Sequence, residues 1–195
     1  MHLLVFATNN QHKVDEVNTI IGKNIRVVTL KDAGIDIDIP EPHDTLEANA
    51  REKSSVIYQL TGQNTFSEDT GLEVDALNGE PGVKSARYAG ESKNFQANID
   101  KLLLNLGNNP LRTARFRTVV SLIWEGKEYQ FEGICEGHII STQKGDSGFG
   151  YDPIFIPAGS TKTFAEMSME EKNQYSHRKK AIAQLIEFLQ QQPVL

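Results

Sequence analysis

A single cysteine, Cys135, stands in 195 residues, which excludes any disulfide within the chain. The C-x-x-C pairs and clustered His/Cys spacings that hold zinc are also missing, and the histidines are scattered along the chain. There is no basic excess: Lys plus Arg number 20 against 26 Asp plus Glu, a formal net charge of −6. That balance argues against a nucleic-acid partner, which usually meets a basic face. A small anionic ligand stays compatible, because a few local cations or a metal reverse the sign within one cleft. No apolar run approaches membrane-spanning length, so no membrane partner is expected. The opening "MHLLVFATNN" has neither a basic leader nor a small-residue cleavage site, and reads as a first strand of a cytoplasmic protein. Repeats, linkers and low-complexity segments are lacking, so residues 1–195 are expected to form a single domain. The apolar share of 38% and charged share of 24% are ordinary for one with a real core.

What is present alternates between strand and helix signals. "LLVFA" (3–7) is a short uninterrupted apolar run, the mark of a strand buried on both faces. "TNNQHKVDEVNTIIG" follows with Asn residues able to cap, Val14, Val17, Ile20 and Ile21 at helical spacing, and Gly22 as a stop. "IRVVTL" (25–30) is a second strand, and 31–44, with its prolines and acids, an extended loop. A helix is expected over 45–62, capped by Thr45 and ended by Gly62. A short central strand should end at Glu68 and Asp69, followed by a turn-rich stretch (77–90) and an amphipathic helix (92–107). From "RTARFRTVVSLIW" to "EGKEYQFEGICEGHII" the pattern is β, with Glu-Gly at a hairpin turn. The C-terminal "SMEEKNQYSHRKKAIAQLIEFLQQQ" reads as one helix with Ala181, Ile182, Leu185, Ile186 and Leu189 turned inward. The class is mixed α/β with a long central sheet.

Four stretches carry residues suited to chemistry, and each has a plainer reading beside it. "ATNNQHK" (7–13) runs from a buried strand through a polar loop into a helix start, the geometry that binds phosphate through backbone N–H groups and the helix dipole. It is not a Walker A loop, and an Asn cap with a solvated Lys13 also accounts for it. Glu41, Glu47, Glu68 and Asp69 supply the hard oxygen ligands that Mg²⁺ prefers, of which it needs only one or two beside phosphate and water. Side chains alternate along a strand, so Glu68 and Asp69 should face opposite ways. The plainer reading makes both turn residues, with Asp69 bonding its own backbone before Gly71. In "SGFGYDPIF" (147–155), Gly148 and Gly150 permit close backbone approach, while Phe149 and Tyr151 offer a stacking face for a flat base. An ordinary turn over a core has the same composition. In "EEKNQYSHRKKAI" (170–182), Lys179 and Lys180 read as a solvated face, whereas Lys172, His177 and Arg178 precede the regular stripe and can reach a cleft.

Taken in order, "ATNNQHKVDEV", "TLEANAREKS", "EDTGLEVDALNGEPGVKSARYAG", "GFGYDPIF" and "EEKNQYSHRKKAI" resemble the motifs of the inosine triphosphate pyrophosphatase family, the XTP/dITP diphosphatases. The resemblance runs from about residue 5 to 182. It implies an elongated α/β fold with two lobes around a substrate cleft, a homodimer, and Mg²⁺-dependent hydrolysis of ITP, dITP or XTP to the monophosphate and pyrophosphate. Thr8, Asn9, Asn10, Gln11, His12 and Lys13 are implied as the triphosphate-binding segment. Glu41 and Asp69 are implied as metal-associated acids, with Asp69 also the general base. Thr70, Phe149, Gly150, Tyr151, Asp152, Lys172, His177 and Arg178 are implied to bind the nucleotide, while Lys53 and Asn49 match the family's helix motif. Many relatives carry Asp-Asp-Ser where this chain has Glu68-Asp69-Thr70, and Lys84 stands where an aromatic or apolar residue is frequent. Two other readings fit parts of the pattern: a nucleotide sensor without turnover, and a pyrophosphatase acting on pyrimidine or modified nucleotides.

Overall fold

The computed structural model describes residues 2–21 and 24–192, leaving out the side chains of His12, Glu16, Thr19 and Ile20. Gly22, read above as a helix stop, lies outside the described residues. Among those described, a sheet runs in the order β2-β1-β3-β5-β6-β7, with β4 paired to β3. The strands are β1 (His2–Phe6), β2 (Ile25–Val28), β3 (Thr65–Val74), β4 (Pro81–Gly82), β5 (Thr113–Trp124), β6 (Lys127–Ile139) and β7 (Phe155–Pro157). The helices are α1 (Gln11–Ile20), α2 (Leu46–Thr61), α3 (Phe95–Leu106), α4 (Met169–Tyr175) and α5 (His177–Gln190). β1 is parallel to both β2 and β3, and β7 is antiparallel to β6, so the sheet is mixed. None of the described helices is long and apolar enough to cross a membrane.

The chain divides into two compact units, residues 1–69, 119–132 and 180–195 in the first and residues 70–118 and 133–179 in the second. In the first unit the alternation of β1 splits the core in two. Leu4 and Phe6 face one way and join Val14 and Val17 of α1, Phe66 of β3, and the α5 stripe of Ala181, Ile182, Leu185, Ile186 and Leu189. Val5 faces the other way and meets Val28, Leu30, Ile35 and Ile57 of α2. Helices α1 and α2 therefore cover opposite faces of the same parallel strands. Phe6 and Phe66, register partners on β1 and β3, stack with ring centroids 4.2 Å apart. Each fully buried Leu, Ile or Phe here contributes about 1.5–3 kcal/mol of burial free energy. The second unit has its own core, which includes Leu72, Val74, Ile99, Leu102, Leu106, Ile154, Phe155 and Phe164.

The expected punctuation is present. Asn10 and Thr45 cap α1 and α2 by accepting from Lys13 N and Ala48 N, and Gly62 ends α2 in the left-handed conformation. Glu125 and Gly126, both at positive φ, form the two-residue turn of the β5–β6 hairpin.

Two expectations are corrected. Glu68 and Asp69 do not end a short strand, because β3 continues for ten residues to Val74. The Thr-Gly step reads as a turn, but Gly71 lets β4 come close: a Cβ there would lie 2.5 Å from the Gly82 carbonyl oxygen. The antiparallel pairs Leu72–Gly82 and Glu73–Pro81 then carry the strand onward. The C-terminal helix is also two helices, broken at Ser176, whose ψ is 115°. Ser168 caps α4 in a reciprocal box with Glu171, and the Ser176 hydroxyl accepts from Lys179 N, so a second cap interrupts the run.

Gly71→Ala puts a methyl group against backbone that cannot step aside. The substitution is expected to destabilise the protein by about 1–3 kcal/mol, read as a lower urea midpoint at unchanged slope. A midpoint equal to wild type would mean that β4 is not held this closely.

Candidate active site

The two acids that follow Ser67 are separated by the pleat of β3. Phe66 faces α1, so Glu68 does too, and its carboxylate takes the Lys13 ammonium at 2.6 Å. Lys13 is the third residue of α1, which places its side chain back over the first turn. Ser67 and Asp69 face α2. The Ser67 hydroxyl donates to the Ala50 carbonyl at 2.5 Å, fixing the distance at which α2 crosses β3.

One helical turn on from Ala50, Lys53 reaches back between two carboxylates. Its ammonium lies 2.6 Å from Glu41 Oε1 and 3.2 Å from Asp69 Oδ1. Lys53 and Asp69 are both largely withdrawn from water. Asn49, a turn before Lys53 on the same face, holds His43 through both its amide atoms, which orders the segment carrying Glu41. Burial pushes the Asp69 carboxyl above its ordinary value of 3.8; Lys53 pulls it down, Glu41 pushes it up, and hydrogen bonds from Lys53 and Asn49 lower it. The outcome is an acid of raised proton affinity beside the Lys53 ammonium, the environment that suits a general base.

Whether this trio suits a divalent cation follows from its charge and donors. One ammonium between two carboxylates leaves a net charge of −1 when all are ionised. The donors are hard oxygens, and among the described residues no group of three or more His, Cys, Asp or Glu converges. Two carboxylates are what Mg²⁺ takes from protein when phosphate oxygens and water complete its shell. Glu41 and Asp69 fit that role.

The loop from β1 to α1 uses its polar side chains on nearby backbone N–H groups. Thr8 Oγ1 accepts from Asn10 N, Asn9 Oδ1 accepts from Lys31 N, and Asn10 caps Lys13 N. Gln11 donates along the helix to Asp15, and the His12 side chain lies outside the described residues. What this segment offers an anion is the first-turn N–H groups of α1, which have no partner within the helix, together with Lys13.

In the second unit the Thr70 and Thr118 hydroxyls are 2.7 Å apart. Gly148 and Gly150 were expected to bring backbone near a ligand. The close approach at Gly148 is to Asp152 instead, whose Oδ2 accepts from Phe149 N and from Lys172 Nζ at 2.6 Å. Asp152 is thus the buried counter-charge that steers Lys172, and the ammonium sits 5.1 Å from the centroids of both Phe149 and Phe164. Phe149 is 63% exposed and keeps an open ring. Tyr151 is corrected: at 3% exposure it is core, its hydroxyl donates to the Ser85 carbonyl, and burial pushes its ionisation far up. It has no face to offer a base. His177 lies nearly parallel to Phe116 at 5.1 Å, and Arg178 follows, half-buried, in the first turn of α5. Lys179 and Lys180 are exposed.

The direction of Lys53 and the partners Thr118 and Phe116 were not read from sequence. Lys53 left one signal: Asn49, Lys53 and Ser54 interrupt the otherwise apolar stripe of Leu46, Ala50 and Ile57. A lysine inside a buried helical stripe needs an acid to meet it.

The sheet, the capped helix start behind β1 and the lysine-bridged acids define a mixed α/β protein with a hard-oxygen, cation-paired site. The chain belongs to the Ham1 family, whose model matches residues 4–188. It is 52% identical to a protein of Flavobacterium johnsoniae named dITP/XTP pyrophosphatase, over 95% of this chain and 97% of that one. A protein of the same name from Porphyromonas gingivalis is 50% identical, over 97% and 98%. Among solved structures, the Staphylococcus aureus Ham1 protein superposes with a TM-score of 0.92 at 42% identity, over 96% of this chain and 98% of that one. A HAM1 protein from Coxiella burnetii gives 0.93 at 33% identity, over 98% and 100%.

Because the Asp69 carboxyl is held above its unfolded value, the folded state favours its protonated form. Stability from this group is present at low pH and is lost as the pH rises through the folded value. Asp69→Asn, which mimics the protonated form, is expected to raise the melting temperature at mildly alkaline pH. The gain should shrink as the pH falls toward 3.8. A melting temperature equal to wild type at every pH would remove the buried charge from the account.

Proposed function

We propose that this chain is a nucleoside triphosphate pyrophosphohydrolase that cleaves dITP, XTP and ITP to the monophosphate and pyrophosphate. The observation that carries the reading is the Lys53-bridged pair Glu41 and Asp69, in a chain about half identical along its length to proteins named dITP/XTP pyrophosphatase.

Hydrolysis between the α- and β-phosphates requires a water oxygen to bond to the α-phosphorus while the bridging oxygen leaves with pyrophosphate. Asp69 accepts the proton that the water loses, a role matched by its raised proton affinity. Lys13 and the N–H groups of the first turn of α1 hold phosphate oxygens, and Lys53 supplies positive charge on the α2 face of β3. Glu41 and Asp69 would hold Mg²⁺, which when bound would supply charge neutralisation to the phosphates. Phe149 offers its open ring to the purine, and Lys172, His177 and Arg178 are the nucleotide-reading residues. Donors aimed at the 6-keto oxygen reject adenine, whose amino group would leave them unpaired. The reading makes the protein a cytoplasmic, homodimeric enzyme that clears deaminated purine nucleotides from the pool.

The test is pyrophosphate released from XTP, dITP, ITP, GTP and ATP, each with and without Mg²⁺. Metal-dependent release from the first three, with little from GTP or ATP, is the expected result. Binding without release would make the protein a sensor. Asp69→Asn is expected to lower kcat by about 100-fold or more. Lys13→Ala is expected to raise the KM for XTP roughly tenfold, the worth of a charge-assisted hydrogen bond. An unchanged KM would leave Lys13 as the partner of Glu68 alone.

A further inference from the structure

In the second unit two exposed stretches of polar residues each carry one phenylalanine, and the two rings meet. Phe95 opens α3 and is 49% exposed, while Phe149 sits at the tip of the loop before Asp152 and is 63% exposed. Their ring centroids are 6.3 Å apart with the planes at 44°. That separation falls within the range of directly touching aromatic pairs, so no base can enter between them. Phe95 is therefore a support for Phe149 and not the second jaw of a clamp.

The backbone of α3 explains why a large ring stands there. Ile99, Leu102 and Leu106 form the buried stripe of the helix, and Phe95 precedes Ile99 by four residues on the same face. The stripe thus continues one turn beyond the core and ends against the Phe149 ring. Asn98, on the next turn, donates to the carbonyls of Ser85 and Ala86 and accepts from Ala89 N. These bonds tie the start of α3, where Phe95 stands, to the 85–89 segment. Phe149 is then held by three contacts of different kinds: its N–H to Asp152, the Lys172 ammonium near its ring, and the ring of Phe95.

We infer that Phe95 is a positioning residue for purine recognition, setting the orientation of the Phe149 ring that receives the base. The inference rests on the reading that Phe149 meets the purine. Truncating Phe95 leaves Phe149 free to turn about its side-chain bonds, and the base then loses a preorganised partner. The acids and lysines of the first unit are untouched by the change.

The experiment compares Phe95→Ala, Phe95→Tyr and Phe149→Ala in steady-state hydrolysis of XTP by the full-length, Mg²⁺-supplied enzyme. Phe95→Ala is expected to raise KM roughly three- to tenfold, the worth of an aromatic contact, with kcat unchanged. Phe95→Tyr, which keeps the ring, should restore the wild-type KM, and Phe149→Ala should raise KM at least as far as Phe95→Ala. If Phe149→Ala raises KM and Phe95→Ala does not, the positioning role is overturned while base recognition by Phe149 stands. If neither variant changes KM, the reading of Phe149 fails and this inference with it. A fall in kcat at constant KM for Phe95→Ala, or a Tyr variant as impaired as the Ala variant, would assign Phe95 a general structural role and overturn the inference.

Discussion

The pleat of β3 is the constraint on which the first unit's chemistry depends. An extended backbone sends Phe66 and Glu68 to one face and Ser67 and Asp69 to the other. With α1 and α2 on opposite faces of the parallel strands, each acid meets a lysine from a different helix. A one-residue slip of β3 against β1 would send Phe66 toward α2 and Asp69 toward the apolar face of α1. The stacked Phe6–Phe66 pair thus guards the register of the acids as well as filling the core.

The acids on β3 are held without being silenced. Glu68, deeply buried, has the Lys13 ammonium, as a carboxylate out of water requires. Burial raises the proton affinity of Asp69, and Lys53, which it shares with Glu41, offsets that only in part. Adjacent residues of one strand thereby acquire different characters from the faces they occupy. In the second unit Asp152 has a supporting part: it anchors the Phe149 loop and directs Lys172.

Much of this was legible in the chain because the signals were local. Apolar runs marked β1 and the α5 stripe, Asn10 and Thr45 announced helix starts, and Glu125-Gly126 marked the hairpin turn. What escaped depended on partners distant in sequence. Gly71 looked like a turn until Gly82 came against it, and "SGFGYDPIF" gave no hint that only one of its three aromatic rings would stay outside. Tyr151 is core because Ser85, 66 residues away, takes its hydroxyl. Ser176 read as a helical residue because the stretch around it keeps a helical composition, and a cap is defined by backbone geometry more than by residue type. The direction of Lys53 depended on knowing which face of α2 meets β3. The family resemblance supplied candidates for the site, while the contacts sorted them into groups aimed outward and groups that hold others in place.

The Lys53 ammonium has one more consequence. It is a resident counter-ion, covalently part of the chain, for two acids that would otherwise repel each other. The folded state therefore does not wait on a divalent ion to assemble, in contrast to small domains whose metal is their core. Any metal these acids take up arrives as a reagent to a finished scaffold. Without such an ion the two acids keep Lys53 between them, and the fold is expected to persist.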